Sequence, residues 1–416
     1  MTPLRICVDA RVSGDTIGGV AHFIVGLVSG LANLRDGDEE YFVLTMSEGG
    51  DWITPHVRGP CRVLSARTTF PASLTRALKA LPGVQTAWNW LGGFGGAGSV
   101  SIPASDGTIE EAEVDLMHFT AHGFWTKVPT IFNPHDLQSL HYPEFFSRRV
   151  RLIREVVGRA LCEKAAMVAV ASSWCRRDLI HWWHLPEDKV RVVALAPATA
   201  AYQPPREGAL AAVRRKLSLP ARFAFYPAQT WRHKNHIGLL RALARVRDQH
   251  GIVVPLVCSG HQNDFFPQIA KIISGLGLNN QVQFLGFVDM DELQCLYALA
   301  RCVVIPTKFE AASFPLWEAF LAGTAAACSN VTSLPEQAGD AAIVFDPDSV
   351  EAIADAVRRL WTDDQLVYVL AQRGRERVSR LSWDQTARAY RAHYRRLAGR
   401  HLSDEDKALL NSPPLL

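Results

Sequence analysis

Residues 302–330 read CVVIPTKFEAASFPLWEAFLAGTAAACSN. The apolar run CVVIP (302–306) predicts a strand. A helix is predicted from near Pro315, a residue suited to a first helical turn, and AAACS (324–328) predicts the next strand. Strand, helix and strand with short connections make a parallel crossover unit.

Working outward, the same rhythm continues on both sides. FAFYPA (223–228), VPLVCSG (254–260) and QVQFLG (281–286) come before it, and AIVFD (342–346) after it. The first half repeats it with LRICVDA (4–10), YFVLTM (41–46), CRVLSA (61–66), DLMHFT (115–120), TIFNPHD (130–136), MVAVAS (167–172) and VRVVAL (190–195). A helix is predicted from about Gly19, where Val20, Phe23, Ile24, Leu27, Val28 and Leu31 recur at helical spacing, and a long one over about 144–165. Such alternation predicts an α/β protein with two doubly wound, Rossmann-like domains. The 416 residues fit two domains, and APATAAYQPPREG (196–208) reads as the linker. Ligands of such sheets bind outside the carboxyl ends of strands, so a central cleft between the domains is the expected site.

The totals exclude several classes. A net charge of +3 gives no footprint for nucleic acid, and no apolar run is long enough to span a bilayer. The opening MTPLRICVDARV lacks the apolar core of a signal peptide. Eight scattered cysteines with no C-x-x-C pair predict buried thiols and a reducing cytoplasm. GFGGAG (93–98) matches a dinucleotide fingerprint in letters alone, since neither a strand before it nor a helix after it is predicted.

Two carboxylates mark the stretch that opens this section. Glu310 lies four residues past CVVIP, and Glu318 lies in the predicted first turn. Backbone N–H groups of Ser313, Phe314 and their neighbours are expected to face outward at the helix start, where the dipole suits a diphosphate. Glu318 would reach a ribose diol beside it, and Glu310 the hydroxyls of a sugar on the other side. The alternative is two solvated glutamates flanking a helix start.

The surrounding letters favour the first reading. FEAASFPLWEAFLAGTAAACSNVTSLPEQAGDAAIVFDP resembles the donor-binding segment of glycosyltransferase family 4, the retaining glycosyltransferases of GT-B fold. The resemblance extends to YPAQTWRHKNHIGLLRAL (226–243), NPHDLQSLHYPEFFS (133–147), VDARVSGDTIGGVAHF (8–23) and LSWDQTARAYRAHY (381–394), and is weakest over 67–114. It implies an N-terminal acceptor-side domain, 1–200, completed by a C-terminal helix within 385–416, and a donor-binding domain, 201–384.

The resemblance also implies roles. Lys234 would neutralise the donor diphosphate, His135 would contact the donor sugar near its anomeric carbon, and Gly18 and Gly19 would let backbone approach the donor or acceptor. Gln229 stands where the family commonly has arginine; Arg232 is the candidate substitute, and the alternative is that the helix start carries more of the load. Pro315 sets the helix start beside the diphosphate. No cofactor and no metal are expected, since the helix dipole with Lys234 would stabilise the leaving diphosphate. The resemblance is nearest to bacterial mannosyltransferases of surface polysaccharide synthesis. It implies a nucleotide-diphosphate sugar, GDP-mannose first, and a glycan or lipid-linked acceptor. FFSRRVRLIREVVGRALCEK (145–164) and LTRALKALPGVQTAWNWLGGF (74–94) are basic, apolar segments of the kind that rest on an anionic membrane, which makes peripheral contact an expectation. Two other readings are a non-catalytic sugar-nucleotide-binding subunit and a nucleotide-sugar epimerase.

Overall fold

Every apolar run named above carries a strand in the computed structural model, which describes residues 2–12, 18–47, 50–67 and 102–411. The first seven are β1 (Leu4–Asp9), β2 (Glu39–Thr45), β3 (Cys61–Ser65), β4 (Leu116–Phe119), β5 (Thr130–Phe132), β6 (Met167–Val170) and β7 (Val190–Val192). They form one sheet in the order β3-β2-β1-β4-β5-β6-β7. The other six are β8 (Ala224–Pro227), β9 (Leu256–Ser259), β10 (Val282–Phe284), β11 (Cys302–Ile305), β12 (Ala326–Ser329) and β13 (Ala342–Phe345), in the order β10-β9-β8-β11-β12-β13. All pairings are parallel. Central strands such as β4, β6 and β11 are buried along their whole length. Burial on both faces explains why they read as continuous apolar runs rather than alternating ones.

β2 begins two residues before the apolar letters suggest. Glu39 and Glu40 pair with Leu4 and Arg5 of β1, and the buried Glu39 carboxylate accepts from Arg395 Nε at 2.6 Å. A charge can be buried in a strand when its partner arrives from elsewhere in the chain.

The helices used below are α1 (Gly19–Asn33), α2 (Arg148–Lys164), α3 (His236–His250), α4 (Met290–Leu299), α5 (Phe314–Ala322), α6 (Leu334–Ala338), α7 (Trp383–Leu397) and α8 (Asp404–Asn411). The chain divides into two units. The described residues of the first lie within Met1–Val170, Asp178–Val193 and Trp383–Pro413; the second takes in Ala171–Arg177 and Ala194–Ser382. Among the described residues the units therefore change at 170/171, 177/178, 193/194 and 382/383, where the sequence reading has boundaries at 200/201 and 384/385. The segment 196–208 is not a free linker. It contains a 3-10 turn, Ala198–Ala201, with Ala198 and Thr199 buried, and the turn packs on α5 of the second unit. Small apolar side chains let it lie flat against that helix.

In the first unit α7 packs on α1. Tyr394 and Tyr390 of α7 reach the sheet: Tyr394 Oη donates to His118 Nδ1 at 2.7 Å, and Asn133 Nδ2 donates to Tyr390 Oη at 3.1 Å. Ion pairs tie the other flank, with Arg391 on Asp36 (2.5 Å) and Arg395 on Glu39 (2.6 Å) and on Asp406 of α8 (2.9 Å). All eight cysteines are buried and unbridged. No helix among the described residues is long and apolar enough to cross a membrane.

Candidate functional site

In the second sheet the strand order reverses between β8 and β11, which are neighbours. That reversal is where an open α/β sheet leaves a crevice at its carboxyl edge. Lys234 follows β8 in a 3-10 turn, Arg232–Lys234, and Glu310 follows β11 in the loop before α5. The structure brings the two together: Lys234 Nζ lies 2.5 Å from Glu310 Oε1, with side chains 20% and 12% exposed.

Both loops are held by a dense set of bonds. Lys308 N–H and Thr307 Oγ1 donate to His233 O at 2.7 and 3.2 Å, tying the Glu310 loop to the Lys234 turn. Tyr226 Oη donates to Lys234 O at 2.6 Å. Asn235, left-handed at φ 56°, caps α3 through Gly238 N–H and donates to Pro306 O and Pro347 O. Thr332 and Ser333 donate their hydroxyls to Glu310 O at 2.6 and 3.0 Å. Sequence reading missed Tyr226, Asn235, Thr332 and Ser333. Their nearness in sequence to Lys234 or to the Glu310 motif was the one available signal.

Ser313 requires a correction. It is the N-cap of α5, and Pro315 lies in the first turn as expected. Yet the Ser313 N–H does not face outward: it donates to Gln337 Oε1 of α6 at 2.7 Å, and Ser313 is fully buried. Its hydroxyl has no hydrogen-bond partner among the described residues. An acceptor side chain 24 residues later has taken the amide that the sequence reading assigned to a phosphate. Phe314 is half-buried, its ring edge-on to Trp317 at 6.4 Å.

Glu318 departs further from its expected setting. It is 5% exposed and accepts a hydrogen bond from the buried Tyr297 hydroxyl of α4. It lines a cavity of about 340 Å³ whose wall also includes Thr199, Tyr202, Pro204, Gln294 and Leu321. Burial pushes its pKa up to about 7, and the Tyr297 bond opposes the rise. The folded value lies above the unfolded one, so the contribution is present at low pH and lost as pH rises through about 7. At roughly 1.4 kcal/mol per unit the loss is on the order of 3 kcal/mol. Glu318→Gln is therefore expected to match the parent below pH 4.5 and to be the more stable above pH 7. Thermal melts across that range check this, and parallel curves for the two proteins would refute it.

Arg232 is exposed, with its guanidinium 5.2 Å over the Phe265 ring, and is not part of the Lys234–Glu310 pair. Gln229 accepts from the Trp231 indole N–H at 3.0 Å. In the first unit His135 follows β5 at φ 63°. Its Nε2 donates to Thr120 O at 2.5 Å, leaving Nδ1 as an acceptor on a neutral ring. Burial lowers its pKa, which favours that neutral form. Asp136 holds the loop, accepting from Gln138 N–H and Arg154. His118 is a core residue, donating to Asn133 Oδ1 at 2.5 Å, with its pKa lowered by burial to about 4. Gly18 is the N-cap of α1 at φ −124°, an extended conformation open to any residue, and Gly19 begins the helix. The glycines there are not demanded by backbone angle. Residues 13–17 between them and the first strand lie outside the described residues, as do GFGGAG and segment 74–94. Among the described residues no group of three His, Cys, Asp or Glu side chains is placed to hold a metal ion.

The family model for Glycosyl transferases group 1 matches residues 213–377. Residues 213–377 are a glycosyl transferases group 1 domain. That domain contains Lys234, Glu310, Ser313, Glu318 and Gln337; His135, Gly18 and Gly19 lie outside it. O-antigen chain mannosyltransferase B of Escherichia coli is 29% identical over 263 residues, 62% of this chain and 68% of that protein. Serotype-specific mannosyltransferase WbdA of Escherichia coli is 27% identical over 231 residues, 54% of this chain and 28% of that protein. The match thus spans less than a third of WbdA. Among solved structures, sucrose-phosphate synthase from Thermosynechococcus elongatus superposes with a TM-score of 0.69 at 20% identity, covering 95% of this chain and 99% of that one. WaaG, a glycosyltransferase involved in lipopolysaccharide biosynthesis, does so at 0.63 and 14%, covering 95% and 100%. The group 1 domain therefore sits within a chain of GT-B fold, with two parallel-sheet, Rossmann-like α/β domains.

Proposed function

We propose that this chain transfers a hexose, mannose first, from a nucleotide-diphosphate sugar to a glycan or lipid-linked acceptor in polysaccharide synthesis, with retention at the anomeric carbon and without a metal. The observation that carries the proposal is the Lys234–Glu310 pair at the carboxyl ends of the adjacent strands β8 and β11. Similarity to the two Escherichia coli mannosyltransferases supports mannose, and with it GDP-mannose.

A diphosphate arriving at Lys234 competes with Glu310 for the ammonium. The lysine then neutralises the leaving group, and the freed Glu310 carboxylate accepts hydroxyls of the sugar. The bond from the anomeric carbon to the phosphate oxygen breaks, and one to the acceptor oxygen forms. The acceptor proton passes to the departing phosphate oxygen on the same face. His135 is assigned to a sugar hydroxyl through its neutral Nδ1. The nucleotide-sugar donor and the acceptor are co-substrates, so no cofactor enters the scheme. Eight unbridged thiols suit cytoplasmic residence.

Glu310→Gln keeps the shape and loses the charge. Transfer is expected to fall by about 10²- to 10³-fold, with GDP binding held or tightened because Lys234 is released. Steady-state rates and calorimetric GDP titration read the two separately. A parallel loss in both would mean that Glu310 serves the diphosphate. The donor is tested by thermal shift against GDP-mannose, UDP-glucose, UDP-N-acetylglucosamine and dTDP-rhamnose, where a ligand at a hundred times its Kd stabilises by about 2.7 kcal/mol. GDP-mannose alone should raise Tm. Binding without acceptor-dependent release of GDP would favour the non-catalytic or epimerase reading.

A further inference from the structure

Helix α7 carries four arginines, and three of them hold carboxylates. Arg388 and Arg391 reach Asp36 and Glu405, and Arg395 reaches Glu39 and Asp406. The fourth, Arg396, has no carboxylate partner among the described residues. Its Nη2 donates to His393 Nδ1 at 3.2 Å. His393 is buried, and burial, with Arg396 and Arg191 adding to it, pushes its pKa down to about 3. The ring is therefore neutral at pH 7. Since Nδ1 accepts, Nε2 carries the proton and is a donor. Arg191 of the edge strand β7 lies alongside. It pairs in register with Ala169 of β6. The Asn133 amide donates both to Ala169 O and to Tyr390 Oη, one turn before His393. Arg191 also lacks a carboxylate partner, and its Nε is buried with no hydrogen-bond partner among the described residues. Two half-buried guanidiniums thus meet with like charge and unused N–H groups, which is costly unless something pairs with them. Burial, and then Arg191, lowers the pKa of Arg396.

We infer that Arg191, His393 and Arg396 form a binding site for a phosphate-class oxyanion in the first unit. The donor set decides the ligand class. Two guanidinium forks and one imidazole N–H offer donors and no acceptor, so a neutral hydroxyl compound would find nothing to take its proton. A tetrahedral oxyanion has acceptor oxygens for all three groups, and the charge of a phosphate, near −2, matches two arginines. The ligand is free phosphate or the terminal phosphate of a monoester. The inference does not depend on sugar transfer. Lys234 and Glu310 belong to the second unit, and phosphate binding is measured without donor or acceptor, so the two readings fail separately.

The experiment is calorimetric titration and thermal melting of the full chain with inorganic phosphate, with glycerol 3-phosphate and with chloride, all at one ionic strength so that screening is equal. Saturable binding and a raised Tm are expected with the phosphates and not with chloride. Tighter binding of glycerol 3-phosphate assigns the site to a monoester, and tighter binding of inorganic phosphate assigns it to the free ion. R191Q and R396Q should each weaken binding roughly tenfold or more, and R191Q/R396Q should abolish it at this site. Lys234→Ala should keep it. In phosphate-free buffer R396Q should melt at or above the parent, because one of two like charges is gone and the new amide can still donate to His393. Tm values that respond to phosphate no more than to chloride would overturn the inference. So would a phosphate response kept in R191Q/R396Q and lost in Lys234→Ala, which would place the anion in the second unit.

Discussion

Lys234→Ala is expected to lower the rate of sugar transfer by about 10²- to 10³-fold and to weaken GDP binding in the same variant. Two losses act in one direction. The leaving diphosphate loses its cation, and Glu310, whose side chain is 12% exposed and bonded to Lys234 Nζ, is left as an uncompensated carboxylate where the anion must sit. Lys234→Arg restores the charge but not the geometry. Tyr226 and the Lys308 amide hold the 3-10 turn so that a single compact ammonium reaches Oε1, and a planar guanidinium is wider. The arginine variant should therefore recover part of the affinity and little of the rate. Kinetics with GDP-mannose and calorimetry with GDP measure both. A Lys234→Ala protein within tenfold of the parent in rate would remove Lys234 from the mechanism. The contrast with Glu310→Gln is the informative comparison, since that change lowers rate while sparing affinity.

The second large effect is on stability. A Cβ at Gly30 of α1 would lie 2.2 Å from the carbonyl oxygen of Trp383 and 2.7 Å from its carbonyl carbon. These are backbone atoms at the start of α7, so no rotamer change relieves the clash, and α1 and α7 must separate. Gly30→Ala is expected to cost about 3 kcal/mol or more, lowering the melting temperature of the first unit by roughly 5–10 °C. Gly26→Ala meets the Trp383 indole at 2.0 Å and should behave similarly. Gly275→Ala is the control: nothing lies within 4 Å of its Cβ, so the change should be neutral or slightly stabilising. Calorimetry resolves these. Gly30→Ala melting with the parent would mean that the α1–α7 contact is looser than the geometry states.

The strands and the helix starts were legible in the letters because they are local. A parallel strand buried on both faces must be a short apolar run, and Pro315 marks a helix start wherever the chain goes. Lys234 and Glu310 were each legible for the same reason, as polar residues just past a strand. Their pairing was not. It exists because β8 and β11 lie side by side although 76 residues separate the two side chains, and no periodicity encodes that adjacency.

The remaining differences share this cause. Segment 196–208 looks like a linker in composition, yet packing of Ala198–Ala201 on α5 makes it part of the second unit. Glu39 looks like a residue before a strand until Arg395 reaches it. Ser313 looks like a free helix N-terminus until Gln337 takes its amide. Glu318 looks like a solvated first-turn carboxylate until Tyr297 and the cavity wall surround it and raise its pKa. The basic and apolar letters of α2 were visible, but which side they face was decided by the two residues the helix buries. By itself the sequence determined where strands and helices lie and which residues stand at strand ends. Tertiary structure decided which polar groups meet, because hydrogen bonds and charges are satisfied by neighbours in space, and those neighbours are set by the order of strands in the sheet.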